Sequence, residues 1–178
     1  MTNKIIYQGR SIVLEERDLE LPNGGVSKSF PLVRHQDGAI VVPLLEKYHE
    51  YDVVLIRQWR PAMGLEVLEV PGGGINKDET PEYAARREVM EEAGLISGEL
   101  IFLGKVLPAP GWDVETQYHF IAICKSELYE QPQDDSDLIE RVRVPLSKIP
   151  ELLKAREIID LKTRSILYDA LNYLKRIL

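Results

Sequence analysis

Glu88, Glu91 and Glu92 stand at i, i+3 and i+4 within the segment GGINKDETPEYAARREVMEEAGL, residues 73–95. On a helix that spacing puts three carboxylates on one face. Like charges four residues apart, as Glu88 and Glu92 are, destabilise a helix by roughly 0.2 to 0.5 kcal/mol, and no lysine is interleaved on that face to offset the repulsion. Hard oxygen donors that converge on one point are what Mg2+ or Mn2+ takes, with the remaining octahedral positions filled by water and by phosphate oxygens of a ligand. The preceding run Gly72-Gly73-Gly74 lets backbone approach closely, so that a carbonyl there can serve as a further ligand. Arg87, four residues before Glu91, is placed to orient it through a charge-assisted bond.

The elements that must position these groups are a loop, a helix and a stop. Thr80 is a helix-capping residue, Pro81 suits the first helical position, and Glu79 and Glu82 favour the positive end of the helix dipole. Gly94 ends the helix where a left-handed residue is usual. Tyr83, Val89, Met90 and Ala93 lie broadly opposite the glutamates, which predicts a helix buried on one side and acidic on the other. Most acidic helix faces are merely solvated. Here the spacing has the form G, five residues, E, seven residues, R-E-aliphatic-x-E-E-x-G-aliphatic, running from Gly73 to Leu95.

At every fixed position that pattern resembles the signature of the Nudix hydrolase family. The resemblance implies metal-dependent hydrolysis of a nucleoside diphosphate linked to another moiety, on an α/β/α sandwich with a mixed sheet. It further implies that Glu88 and Glu92 are metal ligands, that the Gly72 carbonyl is a third, that Glu91 is a ligand or a water-activating group, and that Glu79 is an outer partner of the site. Two or three Mg2+ or Mn2+ ions would neutralise the diphosphate and generate hydroxide from bound water.

With 178 residues, 44 per cent hydrophobic and 29 per cent charged, the chain is large enough for one well-buried core. A net charge of −7 argues against bulk nucleic-acid or anionic-membrane binding and leaves room for a local basic pocket around a small substrate. Cys124, the single cysteine, sits in the apolar run FIAIC and reads as buried filler; the absence of any disulfide fits a reducing cytoplasm. The opening MTNKIIYQGR lacks an apolar signal core, and the longest apolar stretch, Ala39 to Leu45, is far below a membrane span.

Residues 4–34 alternate in short segments around the turn Pro22-Asn23-Gly24-Gly25, which reads as an antiparallel meander with too little apolar surface for a core of its own. The expected organisation is this N-terminal meander over residues 1–37 and a catalytic domain over 38–178. AIVVPLL and YDVVLIRQW read as a hairpin of central strands, and LEVLEV leads into the glycine loop. LIFLGKVL and TQYHFIAIC are two further strands joined by the loop from Pro108 to Asp113, and IERVRVPL is a last one. A short helical element over 147–155 follows, then a helix marked by Ile166, Leu167, Ala170, Leu171, Leu174 and Ile177.

Outside the box the chain resembles the ADP-ribose and nucleoside diphosphate sugar pyrophosphatase branch of the family. The points of contact are Arg34-His35 with Gly38-Ala39, Arg57-Gln58-Trp59-Arg60, Leu68-Glu69-Val70-Pro71, Glu157-Ile158-Ile159-Asp160 with Thr163, and Pro110, sixteen residues beyond Gly94. That resemblance implies substrate contacts from Arg60, Arg57, Glu69, Pro110 and Gly111. Arg60 is either a solvated strand end or an arginine that stacks on a base or forks onto a phosphate. Trp112 either stacks on a base or sugar or pins its loop to the core. Glu115 is placed near the metals. The general base is Asp137 on the late acidic loop, or else Glu91 or Glu115. Tyr7 and Phe30 of the meander frame or stack on the nucleobase, with Lys28 nearby. The branch forms homodimers by exchanging the N-terminal segment, which a meander unable to bury itself would favour. The competing readings are a Nudix pyrophosphatase for GDP-mannose, NADH, a dinucleoside polyphosphate or a damaged triphosphate, and a sensor that binds ADP-ribose without cleaving it. The intact set of Glu88, Glu91 and Glu92 speaks against the sensor.

Overall fold

The computed structural model describes residues 3–48, 50–127 and 139–176. The first three strands, β1 (Asn3–Gln8), β2 (Val13–Glu20) and β3 (Val26–Arg34), form an antiparallel sheet of their own in the order β1-β2-β3. None of its apolar side chains is fully buried. Its buried residue is Glu15, which accepts from Arg17 at 2.5 Å and from Arg34 at 2.9 Å. Ile5, Ile6, Tyr7, Ile12, Leu21 and Val26 all stand exposed, as the shortage of apolar surface in this segment implies. β3 is tied to the rest of the chain through Val33, whose N–H donates to the Trp112 carbonyl at 2.7 Å and whose carbonyl accepts from Val114.

The main sheet contains β4 (Gly38–Lys47), β5 (Glu50–Arg60), β6 (Leu65–Glu69), β7 (Gly72–Gly74), β8 (Leu95–Val106), β9 (Gln117–Glu127) and β10 (Ile139–Pro145). Its order is β10-β5-β4-β9-β8, with β6 paired to β5 and β7 to β4. β4 and β9 run parallel and every other pair is antiparallel, so the sheet is mixed. β4 is covered on both faces, which explains its unbroken apolar run. On one face Ile40, Val42 and Leu44 pack with α2 (Ile149–Ala155) and α3 (Leu161–Leu174) through Ile149, Leu153, Ile166 and Leu167. On the other, Ala39, Val41 and Leu45 pack with α1 (Pro81–Glu91) through Ala84, Ala85, Val89 and Ala93. Helices on both faces of a mixed sheet, with antiparallel N-terminal strands, match the expected fold.

Three elements differ from the sequence reading in extent. The glycine run is a short strand, because Gly72–Gly74 pair with Ile40–Gly38. β8 starts at Leu95, directly after the helix stop, five residues before the apolar run LIFLGKVL, and its pairing with β9 is interrupted by three register shifts. α3 starts at Leu161, since Asp160 caps it by accepting from the Thr163 N–H at 2.9 Å. Ile177 lies outside the described residues.

His119 on β9 is 1 % exposed, and neither ring nitrogen has a hydrogen-bond partner among the described residues. Burial lowers its pKa, with Asp169 opposing. A buried histidine held neutral binds no proton in the folded chain, while the unfolded chain binds one below about pH 6.5, so stability is lost as pH falls through that value. His119→Leu should therefore melt higher than the parent, by the equivalent of about 1 to 3 kcal/mol for an unpaired buried polar group. The margin should widen from pH 7.5 to pH 5.5. Thermal melts of both proteins across that range check this, and a margin that narrows toward acid pH would contradict it.

Candidate active site

α1 carries the carboxylates, and its caps set where they point. The Thr80 hydroxyl accepts from the Tyr83 N–H, and Gly94 adopts φ +66° beyond the last turn. The predicted division of its faces needs correction. Tyr83 and Met90 are exposed, whereas Glu88 is 6 % exposed and lies among the buried residues of the helix with Ala84, Ala85 and Val89. Glu88 and Glu92 are turned toward the glycine strand while Glu91 is partly exposed, so periodicity alone assigned Tyr83 and Met90 to the wrong environment.

The carboxylates meet the glycine strand. The Gly72 N–H donates to Glu92 Oε2 at 2.9 Å. Gly73 lies so close to the Glu88 carboxylate that a Cβ there would collide with it, which gives the box glycine its physical reason. Arg87 holds the group together through five bonds. Its Nε and Nη2 fork onto the two oxygens of Glu79 at 2.9 and 3.1 Å, Nη1 reaches Glu88 at 2.6 Å and Glu91 at 3.0 Å, and Nη2 also donates to the Gly74 carbonyl at 2.8 Å. Glu79 in turn accepts from the Asn76 N–H, which ties down the loop before the helix. All of Arg87's donors are therefore engaged within the protein, and its role is to organise the carboxylates.

Electrostatics here favour a cation. Glu79, Glu88 and Glu91 share one guanidinium, which leaves two negative charges in excess when all three are ionised, and Glu92 adds a further carboxylate next to Glu88. Burial pushes the Glu92 carboxyl up to about 7, against the Gly72 N–H and with Glu88 adding to the rise. Burial likewise raises Glu88, with Arg87 opposing. Glu79 is lowered, first by its bond to Arg87. Oxygen donors crowded at this cost in charge, beside a backbone with no side chains, fit Mg2+ or Mn2+.

A second charged cluster sits on β6 and α3. Glu69 is 2 % exposed, and its oxygens are taken by Arg60 at 2.6 and 2.8 Å and by Lys162 at 2.5 Å. Burial alone would raise its pKa, but those cations hold it below the ordinary range. Glu69 thus orients two cations. A cleft of about 360 Å3 is lined by Arg60 and Lys162, by Gly72–Gly74, and by Glu115, His35 and Gln117. Its volume lies in the usual range for a small-molecule site. A larger gap of about 520 Å3, lined largely by apolar groups such as Tyr51, Leu146 and Leu171, holds none of these residues.

Glu115 accepts from Gln117 at 3.0 Å and belongs to a cluster with His35 and Asp113 whose potential ligand atoms lie within 4.8 Å of one another. His35 Nε2 faces Asp113 at 3.0 Å and Glu115 at 3.7 Å. Burial works against protonation of this ring, yet the Asp113 bond and the two carboxylates raise its pKa overall.

Other expected contacts are not among the residues that line this cleft. Arg57 pairs across strands with Glu140 at 3.0 Å. Pro110, Gly111 and Trp112 are exposed; the loop is pinned by Trp112's backbone, not its indole, which stands in solvent. Tyr7 is exposed and Phe30 pairs with Arg17, and neither lines the cleft; the meander reaches it through Ser11 and Ile12. Asp137 lies outside the described residues. Lys162, His35 and Asp113 were not singled out as site residues from sequence. Lys162 stood beside the noted Asp160 and Thr163, but nothing in its spacing pointed to Glu69, 93 positions earlier.

Residues 34–163 match the NUDIX domain. The chain belongs to the Nudix family. As such it is a Nudix pyrophosphohydrolase. The Nudix chain is similar to an ADP-ribose pyrophosphatase of Bacillus subtilis (strain 168), 32% identical over 159 residues, covering 89% of this chain and 84% of the relative. It is also similar to a GDP-mannose pyrophosphatase of Shigella flexneri, 32% identical over 164 residues, with 83% and 82% covered. Its fold resembles the crystal structure of an ADP compounds hydrolase, with a TM-score of 0.78 at 22% identity over 98% of this chain and 92% of that one.

The raised Glu92 carboxyl gives a stability test of the metal-ligand reading. Between about pH 4.5 and 7 the folded chain holds a proton on Glu92 that the unfolded chain has released. Stability without metal therefore falls as pH rises through that window, by on the order of 3 kcal/mol. In chelator, Glu92→Gln should gain melting temperature over the parent on going from about pH 5 to 8, and added Mg2+ should raise the parent alone. Equal pH responses of the two proteins would contradict this.

Proposed function

We propose that this protein hydrolyses the diphosphate bond of ADP-ribose or a related nucleoside diphosphate sugar, releasing a nucleoside monophosphate and a sugar phosphate, with Mg2+ as the cofactor and Mn2+ able to replace it. The observation that carries this reading is the pairing of two oppositely charged groups around one cleft. The Gly72–Gly74 wall backs onto the carboxylates of α1, and Arg60 and Lys162 line the same cleft with one buried glutamate between them. The activities of the Bacillus and Shigella relatives support a nucleotide sugar as the ligand class, and the second of them keeps GDP-mannose as the alternative substrate.

In this reading Glu88, Glu92 and the Gly72 carbonyl hold the metal, with Glu91 and Glu115 as further ligands. Bound there, it supplies charge neutralisation and a more acidic water. The general base would be Asp137, or else Glu91 or Glu115 in place of a ligand role. Arg60 and Lys162 bind phosphate oxygens, and the excess of one positive charge over Glu69 favours an anionic ligand on that side. Trp112 offers an exposed indole for stacking on a base or sugar. Tyr7, Phe30, Arg57, Pro110 and Gly111 stand outside the cleft lining of one protomer, and in this reading they meet the outer parts of the ligand at the rim or from the second subunit of the proposed dimer. The lone thiol of Cys124, pushed up to about 12 by burial, is unreactive and suits a cytoplasmic setting.

Initial rates with Mg2+ on ADP-ribose, ADP-glucose, GDP-mannose, NADH, diadenosine polyphosphates and 8-oxo-dGTP, with products identified, test the reading. A nucleotide sugar should be preferred. Lys162→Gln should raise KM for it by roughly 10- to 100-fold, the equivalent of losing one charge-assisted bond. Turnover confined to the triphosphate or polyphosphate substrates would refute the reading.

The exposed apolar residues of β1 to β3 and the lack of a core in that sheet support a homodimer built through residues 1–37. Light scattering at micromolar concentration should give twice the 20.3 kDa chain mass, and a monomeric mass would remove this assembly.

A further inference from the structure

The last turn of α1 is an electrostatic problem that the helix does not solve by itself. The C-terminal end of a helix carries partial negative charge and carbonyls without intrahelical partners, and cations are favoured there. This turn instead carries Glu88, Glu91 and Glu92 and contains no basic residue. The Glu88, Val89 and Met90 carbonyls accept from Glu92, Ala93 and Gly94, so those of Glu91 and Glu92 are the next without a helical donor.

Both are met by one side chain from a distant strand. Arg141 of β10 donates through Nε to the Glu92 carbonyl at 2.8 Å and through Nη2 to the Glu91 carbonyl at 3.2 Å. Its guanidinium forms no ion pair with a carboxylate among the described residues, and burial lowers its pKa. It sits against Gly94, where an added Cβ would come within 2.7 Å of the guanidinium carbon. Gly94 therefore has two reasons to lack a side chain: its positive φ and the cation lying on it.

We propose that Arg141 is a positioning residue for the metal site: it fixes the backbone of Glu91 and Glu92 from behind and offsets the negative end of the helix, so that their carboxylates keep one geometry toward the glycine strand. This rests on the reading of those glutamates as metal ligands. A methionine cannot make these bonds, and a lysine keeps the charge but loses the planar fork that serves two carbonyls together.

The test compares the parent chain with Arg141→Met, Arg141→Lys and, as a control for simple destabilisation of the same strand, Val144→Ala. Mn2+ affinity is read by electron paramagnetic resonance, and kcat and KM are measured on the preferred substrate. For a partner that orients ligands, Arg141→Met should weaken Mn2+ binding and lower kcat by about 10- to 100-fold. KM should stay within about threefold, because Arg60 and Lys162 are untouched, and Arg141→Lys should fall between. Val144→Ala should lose melting temperature and keep Mn2+ affinity. Parental Mn2+ affinity and kcat in Arg141→Met would overturn the proposal, as would an equal loss of affinity in Val144→Ala. If Arg141→Met does not fold, Arg141→Lys decides in the same way. A parent chain that binds Mn2+ but cleaves nothing removes the hydrolase reading and leaves the affinity comparison intact, whereas a parent that binds no Mn2+ overturns both.

Discussion

Arg87 directs five bonds onto Glu79, Glu88, Glu91 and the Gly74 carbonyl, and that guanidinium is what lets Glu88 and Glu91, at i and i+3, share a helical turn beside a sheet, while Glu92 at i+4 is met by the Gly72 N–H. In water the repulsion between such groups is a few tenths of a kcal/mol, but burial enlarges it because charge is screened less in a medium of low dielectric. The remaining geometry follows from this constraint. Glu79 must come from the loop before the helix to meet the far side of the guanidinium, the loop must be fixed by Asn76, and the strand opposite Glu88 must be free of side chains. One arginine cannot neutralise the three carboxylates it bonds, with Glu92 beside them, and the residual charge is what a divalent cation would meet.

The second cluster has the complementary design. Glu69 is as buried as any carboxylate in the described chain apart from Glu15, yet it is held ionised because Arg60 and Lys162 converge on it. Burying one charge here locks the rotamers of two long cationic side chains whose outer surfaces line the cleft, a form of preorganisation that reduces the entropy lost when a ligand binds. The cleft therefore sets prepaid order on its cationic side against strain on its acidic side.

What could be read from sequence was whatever is local. The caps of α1, its stop at Gly94 and the spacing of Glu88, Glu91 and Glu92 lie within 23 residues, and the family could be recognised from them alone. Central strands were legible from unbroken apolar runs, and the meander from its lack of such runs. Tyr83 and Met90 were misplaced because hydrophobic periodicity assumes that the charged stripe faces water, and here Glu88 and Glu92 face the glycine strand. The glycine run was read as a loop because pairing with β4 is a tertiary event that composition does not record. Lys162, Arg141 and the His35–Asp113 pair were missed for the same reason: each acts on a residue at least 49 positions away.

That difference between local and distant parts has a consequence for how the molecule assembles. The acidic side is written in one continuous stretch, from Gly72 to Gly94, and its loop closures are short. The cationic side needs Arg60 and Glu69 from one hairpin and Lys162 from the last helix, whose start is latched when the Thr163 hydroxyl accepts from the Val70 N–H at 3.1 Å across 93 residues. Long closures carry the larger entropic cost and form late. A nascent or partly unfolded chain can thus possess its carboxylate turn while lacking the wall that would grip an anion. Docking of the last helix then brings Lys162 to Glu69 and Arg60, and completes the cationic wall opposite a turn that already carries its carboxylates.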